Sequence, residues 1–213
     1  MQLNELFRDG FFVSSIDKEL ADRMLEVIKA DTFVEDKVGS PDIAEWESDN
    51  PSHNNAIPPE YQAFMEGLGM SEATAHMRAH MGDWSRVNCM LQRGKRGDSM
   101  VWHHDSYDPM HMVCLVYFTD DEWKPEDGGQ LQVGVGDIDQ NGFLVDQAQV
   151  QVRSSISPNH GTVVWLMNTN PRFVHRVTEI KTDKIRYSMV GQFGYRENVM
   201  RTRVAQKYGP TWR

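Results

Sequence analysis

The chain has 213 residues, 39% hydrophobic and 25% charged, with a formal net charge of -9 at pH 7. That length suits one large domain with a substantial core, and the acidic balance argues against general adhesion to nucleic acid or to anionic membranes. Cys89 and Cys114 each lie in an apolar run and read as buried free thiols; with no signal peptide and no apolar run of about 18 residues, a reducing, cytoplasmic setting is the expectation.

After a short apolar start ending at Val13, Ser14 followed by Asp17 at the third position forms a capping-box pattern. Ile16, Leu20, Met24, Val27 and Ile28 then recur at helical spacing, which predicts a helix lying against a sheet. Residues 37–59 lose periodicity and gather Gly39, Pro41, Pro51, Pro58 and Pro59, the signature of a loop, with Trp46 as an anchor packed on the core. A second helical region spans residues 60–81, interrupted at Gly67 and Gly69. His76 and His80 sit four apart there, but without a third ligand nearby they read as surface or packing residues.

From Trp84 the texture changes to short runs rich in β-formers: 86–92, 100–104, 112–118, 130–135, 143–152, 161–167, 173–180 and 185–193. Strands following helices, with no βαβ alternation, predict a β-sandwich or barrel with packed helices and exclude a Rossmann-type sheet. No glycine-rich phosphate loop, nucleophile elbow or repeat is present. The polar stretch 136–159 reads as a lid or as an excursion between strands.

The chemistry concentrates at Trp102-His103-His104-Asp105. On a strand, residues two apart share a face at roughly 6.6 Å, so His103 and Asp105 can converge on one ion while His104 points away. A third ligand, His175, would complete a two-His, one-carboxylate triad with three open metal positions. Residues 181–184 read as a hairpin turn between 173–180 and 185–193, a register that sets Glu179 opposite Arg186 and turns His175 and Arg186 to one side. Arg186 could then grip the far carboxylate of a small dicarboxylate whose other end chelates the ion.

With those residues in place, the chain resembles the Fe(II)- and 2-oxoglutarate-dependent dioxygenases, in the prolyl 4-hydroxylase-like branch that includes the hypoxia-type prolyl hydroxylases. The likeness covers about residues 84–196 and rests on Trp102-His-His-Asp105, Val116-Tyr-Phe-Thr-Asp-Asp-Glu-Trp123, Asp127-Gly-Gly-Gln-Leu131, Val174-His-Arg-Val177 and Arg186-Tyr-Ser188. It implies a mainly β fold with packed helices, a double-stranded β-helix of the jelly-roll, cupin-like kind. The whole of 1–213 is then one domain: helical support and loop to residue 83, core 84–196, tail 197–213. It also implies that His103, Asp105 and His175 are the catalytic iron ligands, that Arg186 binds the distal carboxylate of 2-oxoglutarate, and that Tyr117 hydrogen-bonds it. Ser188 is a second candidate of that kind.

The cofactor set implied is Fe(II), 2-oxoglutarate and O2, with ascorbate as an optional addition. One departure is Gln92, which stands where the hypoxia-type enzymes carry a tyrosine. Because Asp105 is a carboxylate, hydroxylation is favoured over halogenation. The expected substrate is a prolyl residue in a peptide or protein, which predicts an open groove beside residues 37–58. The alternative is a free amino acid or other small molecule, for which Arg153 and Arg172 could close the pocket. A non-enzymatic module binding metal and 2-oxoglutarate is the third reading, and nucleic-acid demethylation is disfavoured by the overall acidity. The basic tail reads as a solvated or dimer-contacting terminus.

Overall fold

The computed structural model describes residues 8–48, 57–81, 86–104, 110–137, 139, 144–167 and 172–194. In chain order its elements are β1 (Phe11–Ser15), α1 (Lys18–Lys29), β2 (Phe33–Val34), β3 (Asp42–Ala44), α2 (Glu45–Ser48), α3 (Pro59–Gly69), α4 (Glu72–Met81) and β4 (Arg86–Gly94). There follow β5 (Met100–His103), β6 (Met110–Thr119), β7 (Leu131–Val135), β8 (Gln151–Ile156), β9 (Thr162–Met167), β10 (Phe173–Val177) and β11 (Arg186–Gly194).

The strands form a seven-stranded sheet, β1-β9-β6-β11-β4-β3-β2, and a four-stranded one, β5-β10-β7-β8. Every strand pairing among the described residues is antiparallel. The two sheets make the double-stranded β-helix that the sequence suggested.

Alternation along β6 divides the interior into two layers. Cys114, Val116 and Phe118 join α1 and α3 in a helix-backed core that also holds Met24, Leu25, Ile28, Phe64 and Trp165. Val113, Leu115 and Tyr117 face the other way, against Leu131, Val133 and Val177 of the small sheet. Each fully buried aliphatic side chain contributes roughly 1.5–3 kcal/mol, so α1, too short to persist alone, is held by its buried face. Cys89 and Cys114 are buried free thiols, as expected.

Several local expectations need correction. The cap of α1 is Asp17, whose Oδ1 accepts from the Glu19 and Leu20 N–H groups at 2.9 and 3.2 Å. Ser14 cannot serve, because it belongs to β1 and pairs with Val163 of β9. The stretch 37–59 is not all loop. Asp42–Ala44 adds a strand to the large sheet, held by the Asp42 carboxylate, which takes Arg93 and Lys95 at 2.7 Å each. Trp46 does pack on the helix-backed core, stacking on Tyr61 at 6.1 Å. The interruption expected at Gly67 and Gly69 falls just after them, at Met70 and Ser71, which part α3 from α4. In the polar excursion the strand is Gln151–Ile156, preceded by a 3-10 turn at Gln147–Gln149 that Asp146 caps.

The largest correction concerns residues 181–184. β10 pairs with β5 and β7, whereas β11 pairs with β4 and β6, so the two strands lie in different sheets and form no hairpin. The chain between them is claimed by other partners. Thr178 and Glu179 carbonyls accept from Gly129 N, and Ile180 bridges Gly128 and bonds Gly97 and Asp98. These contacts carry the backbone from the small sheet to the large one.

Candidate functional site

His103 ends β5 and lies directly opposite His175 at the centre of β10. His175 is in turn opposite Val133, whose side chain is in the inter-sheet core, so both point inwards. The two imidazoles stand edge to face, with ring centroids 4.2 Å apart and planes inclined by 60°. His103 Nδ1 lies 2.8 Å from the Val101 carbonyl oxygen. A carbonyl can only accept, so Nδ1 carries the proton and the lone pair sits on Nε2, the arrangement of a metal-binding histidine oriented by its backbone. Trp102, between them in sequence, turns to the opposite face, where it is buried beneath the Arg176 guanidinium at 4.8 Å.

Asp105 lies outside the described residues. Among those described, no three His, Cys, Asp or Glu side chains form a metal-sized group. The side chains of His76 and His80 also fall outside.

Facing the histidines from the large sheet is a polar group built on β11 and β6. Arg186, Ser188 and Val190 alternate onto one face, and Val190 belongs to the inter-sheet core. Tyr117 is the register partner of Ser188 on β6. Arg186 is 1% exposed. Its Nη1 donates to the Gly129 carbonyl at 2.8 Å, and its guanidinium carbon lies 5.6 Å from the Tyr117 ring centre. Burial lowers the Arg186 pKa, opposed by the charges of Tyr117 and Asp98. The Tyr117 hydroxyl is pushed up to about 12 by burial, with Arg186 pulling the other way. Ser188 Oγ donates to Gln92 Oε1 at 3.4 Å. Gln92, the departure from the family's tyrosine, therefore reaches the same face.

Two buried atoms in this group have no hydrogen-bond partner: Arg186 Nε and the Tyr117 hydroxyl. A buried guanidinium with so few acceptors around it is costly unless an anion completes it. The donors present suit a carboxylate, and the paired imidazoles facing them suit a borderline divalent metal. On chemistry the residues fit both groups.

The geometry also assigns work to residues whose role the sequence did not disclose. Gly129 holds Arg186 through its carbonyl, and Trp123 Nε1 donates to the neighbouring Gly128 carbonyl at 2.7 Å. A Cβ on Gly94 would lie 2.8 Å from Ile180 Cδ1, so it is the Ile180 side chain that a larger residue would displace, with Arg186 Nε and Nη2 next at 3.4 Å. Asp127-Gly-Gly is visible as a sequence landmark, but its contact with Arg186 depends on folding. Arg172 pairs with Asp137 at 3.1 Å, and Arg153 is exposed on β8.

The sequence model of the 2OG-Fe(II) oxygenase superfamily matches residues 86–194. A prolyl-4-hydroxylase from Pseudomonas putida aligns with a TM-score of 0.61 at 18% identity, covering 92% of this chain and 97% of that one. A prolyl hydroxylase from Trichoplax adhaerens, in complex with a hypoxia inducible factor oxygen degradation domain peptide fragment, gives 0.64 at 16%, covering 92% and 88%. HygX from Streptomyces hygroscopicus, with nickel, 2-oxoglutarate and hygromycin B bound, gives 0.61 at 15%, covering 92% and 87%. No curated protein matches the chain by sequence. At these identities the structural likeness concerns the fold alone.

Proposed function

This chain belongs to the 2OG-Fe(II) oxygenase superfamily, and from that membership we propose that it hydroxylates an unactivated C–H bond of a prolyl residue in a peptide or protein. In this reading His103, Asp105 and His175 hold Fe(II), and Arg186, Tyr117 and Ser188 bind the distal carboxylate of 2-oxoglutarate. The metal supplies O2 activation coupled to oxidative decarboxylation of 2-oxoglutarate, giving succinate and CO2 beside the hydroxylated product.

The observation that carries the reading is the opposition of two groups across the inter-sheet core: adjacent imidazoles on the small sheet, and a buried Arg186 with incomplete hydrogen bonding on the large one. Arg186 supplies a fixed cationic fork, and Tyr117 a hydroxyl donor beside it, both already desolvated.

The prolyl substrate is supported by the two prolyl hydroxylases of similar fold and length. A second reading, hydroxylation of a small molecule such as a free amino acid, is favoured by HygX, whose TM-score equals that of the Pseudomonas putida enzyme and which carries hygromycin B. The groove expected for a peptide borders residues 37–58, of which 49–56 lie outside the described residues.

The test is succinate formation by Fe(II)-reconstituted protein with 2-oxoglutarate and O2, with and without ascorbate. Each assay adds proline-containing peptides, free amino acids or an aminoglycoside. We expect stimulation by peptides and a mass gain of one oxygen on proline. Stimulation by small molecules alone would replace this reading with the second. No succinate, despite measured binding of metal and 2-oxoglutarate, would leave a binding module.

A further inference from the structure

The two imidazoles meet because β5 carries one residue too many. His103 pairs with His175 and Met100 with Val177, so β5 uses three residues where β10 uses two, a β-bulge at Val101 and Trp102. Met100 and Val177 both pack in the inter-sheet core. On an unbroken strand, residues three apart face opposite ways. With Met100 kept opposite Val177 and no bulge, Trp102 would stand opposite His175, and His103 would pair with Val174 and point out of the core. The extra residue restores the inward aim of His103.

The bulge is held from behind. Val101 is 65% exposed, so its side chain anchors nothing, but its carbonyl accepts from His103 Nδ1 at 2.8 Å. Trp102 is 5% exposed although it lies on the outer face of the small sheet. Its cover is Arg176, the residue after His175, whose guanidinium carbon stands 4.8 Å from the indole centre. Arg176 Nε donates to Gln132 Oε1 at 2.7 Å, and Gln132 is its register partner on β7. Gly134 makes room for the indole: a Cβ there would sit 3.2 Å from Trp102 Cη2 and 2.7 Å from Val150 Cγ1. Side chains on β5, β10 and β7 are thus tied together directly behind the histidine pair.

We propose that Trp102 and Arg176 are positioning residues for the metal site: their stacked pair fixes the bulge, and with it the aim of His103 towards His175. The proposal rests on the reading of those two histidines as metal ligands. One-residue slips reverse the facing of a strand, and burial of Trp102 under Arg176 selects the arrangement in which the imidazoles are opposed.

Two readouts test it. In the metal-free chain at pH 8, a long-range 1H–15N imidazole spectrum shows which ring nitrogen of His103 carries the proton, its signals being those missing from His103→Ala. In the wild type that nitrogen is Nδ1, facing the Val101 carbonyl. Trp102→Leu should move the proton to Nε2, the form free imidazoles favour, in most molecules, and Arg176→Met should do so in part.

Mn(II) titration followed by electron paramagnetic resonance is the second readout. Affinity should fall about tenfold in Arg176→Met and up to about 100-fold in Trp102→Leu. The double variant should lose no more than Trp102→Leu alone, since the pair acts as a unit. Trp102→Phe, which keeps a ring beneath the guanidinium, should bind Mn(II) more tightly than Trp102→Leu. Trp46→Leu, a loss of packing in the helix-backed core, should lower Tm and leave both readouts unchanged.

Wild-type Mn(II) affinity in Arg176→Met and in folded Trp102→Leu, with His175→Ala still losing it, would overturn the proposal and spare the metal reading. Unchanged His103 signals in both variants would overturn it as well. A wild-type chain that binds no Mn(II) would overturn the metal reading instead, and the His103 signals of the same variants would still decide whether the stacked pair aims the ring.

Discussion

His103 and His175 occupy directly opposed positions on neighbouring strands, and their rings meet edge to face with 4.2 Å between centroids. Strand pairing, not loop conformation, brings these two imidazoles together, so replacing one should leave the fold intact while dismantling the pair. His175→Ala is expected to weaken Mn(II) binding, followed by electron paramagnetic resonance, by more than about 100-fold, since even outer contacts to such ligands are worth 10–100-fold. Unchanged Mn(II) affinity would remove His175 from the metal site.

Tyr117→Phe separates stability from binding. In the unliganded chain the hydroxyl is buried without a partner, so its removal should stabilise by about 1 kcal/mol, raising Tm by roughly 2–4 °C for a chain of this size. Affinity for 2-oxoglutarate should fall about tenfold. Thermal unfolding with and without 2-oxoglutarate reads both effects at once. A lower Tm without ligand would contradict the account of Tyr117.

Gly128 has φ +73°, and a Cβ there would sit 1.9 Å from the Glu179 carbonyl oxygen. Gly128→Ala must therefore open the turn that carries Gly129, whose carbonyl holds Arg186. We expect a loss of more than about 1 kcal/mol in stability, together with a raised KM for 2-oxoglutarate and retained Mn(II) binding. Loss of Mn(II) binding in a folded variant would show that the turn supports the histidines instead.

Glu47 makes the stability of the chain depend on pH. Burial pushes its carboxyl from 4.5 up to about 7, opposed by a hydrogen bond from the Leu91 backbone N–H and helped by Asp36. The folded chain thus holds a proton that the unfolded chain releases near pH 4.5. Stability from this group is fully present below that pH and is lost as pH rises through 7. Glu47→Gln keeps an acceptor for Leu91 and removes the charge, so it should raise stability at pH 8 by on the order of 2 kcal/mol and leave pH 4 almost unchanged. Denaturant unfolding at the two pH values measures the difference. A uniform change at both would assign Glu47 a purely packing role.

The strands bearing His103, Tyr117, His175 and Arg186 are legible in the sequence, because β-branched and aromatic runs bounded by turn residues mark them whatever they pair with. Their partners are not legible. Residues 173–193 read as a hairpin, since local pattern cannot reveal that Gly97, Asp98 and Gly129, 49 or more residues upstream of Thr178, claim the connecting backbone. The reading that sets His175 and Arg186 on one side rests on that hairpin register; the strands instead belong to facing sheets, and alternation within each strand turns its residue towards the inter-sheet core. β3 escaped notice because three residues among prolines and glycines carry no period, and its place depends on Asp42 meeting Arg93 and Lys95. Gly94 and Gly129 carry no side-chain signal at all; only the contacts of Gly94 with Ile180 and of Gly129 with Arg186 give them meaning.

Because β10 and β11 lie in opposite sheets, no ladder of backbone bonds sets the separation between His175 and Arg186. The layer of Leu131, Val133, Val177 and Val190 does, and facing sheets stand about 10 Å apart. Apolar bulk in that layer is therefore a spacer. Thickening it would move the two polar groups apart without touching either, and thinning it would draw them together. The reach demanded of any molecule that bridges them is written in methylene groups of the core, so the length selectivity of the site should respond to volume changes at Val133 or Val190.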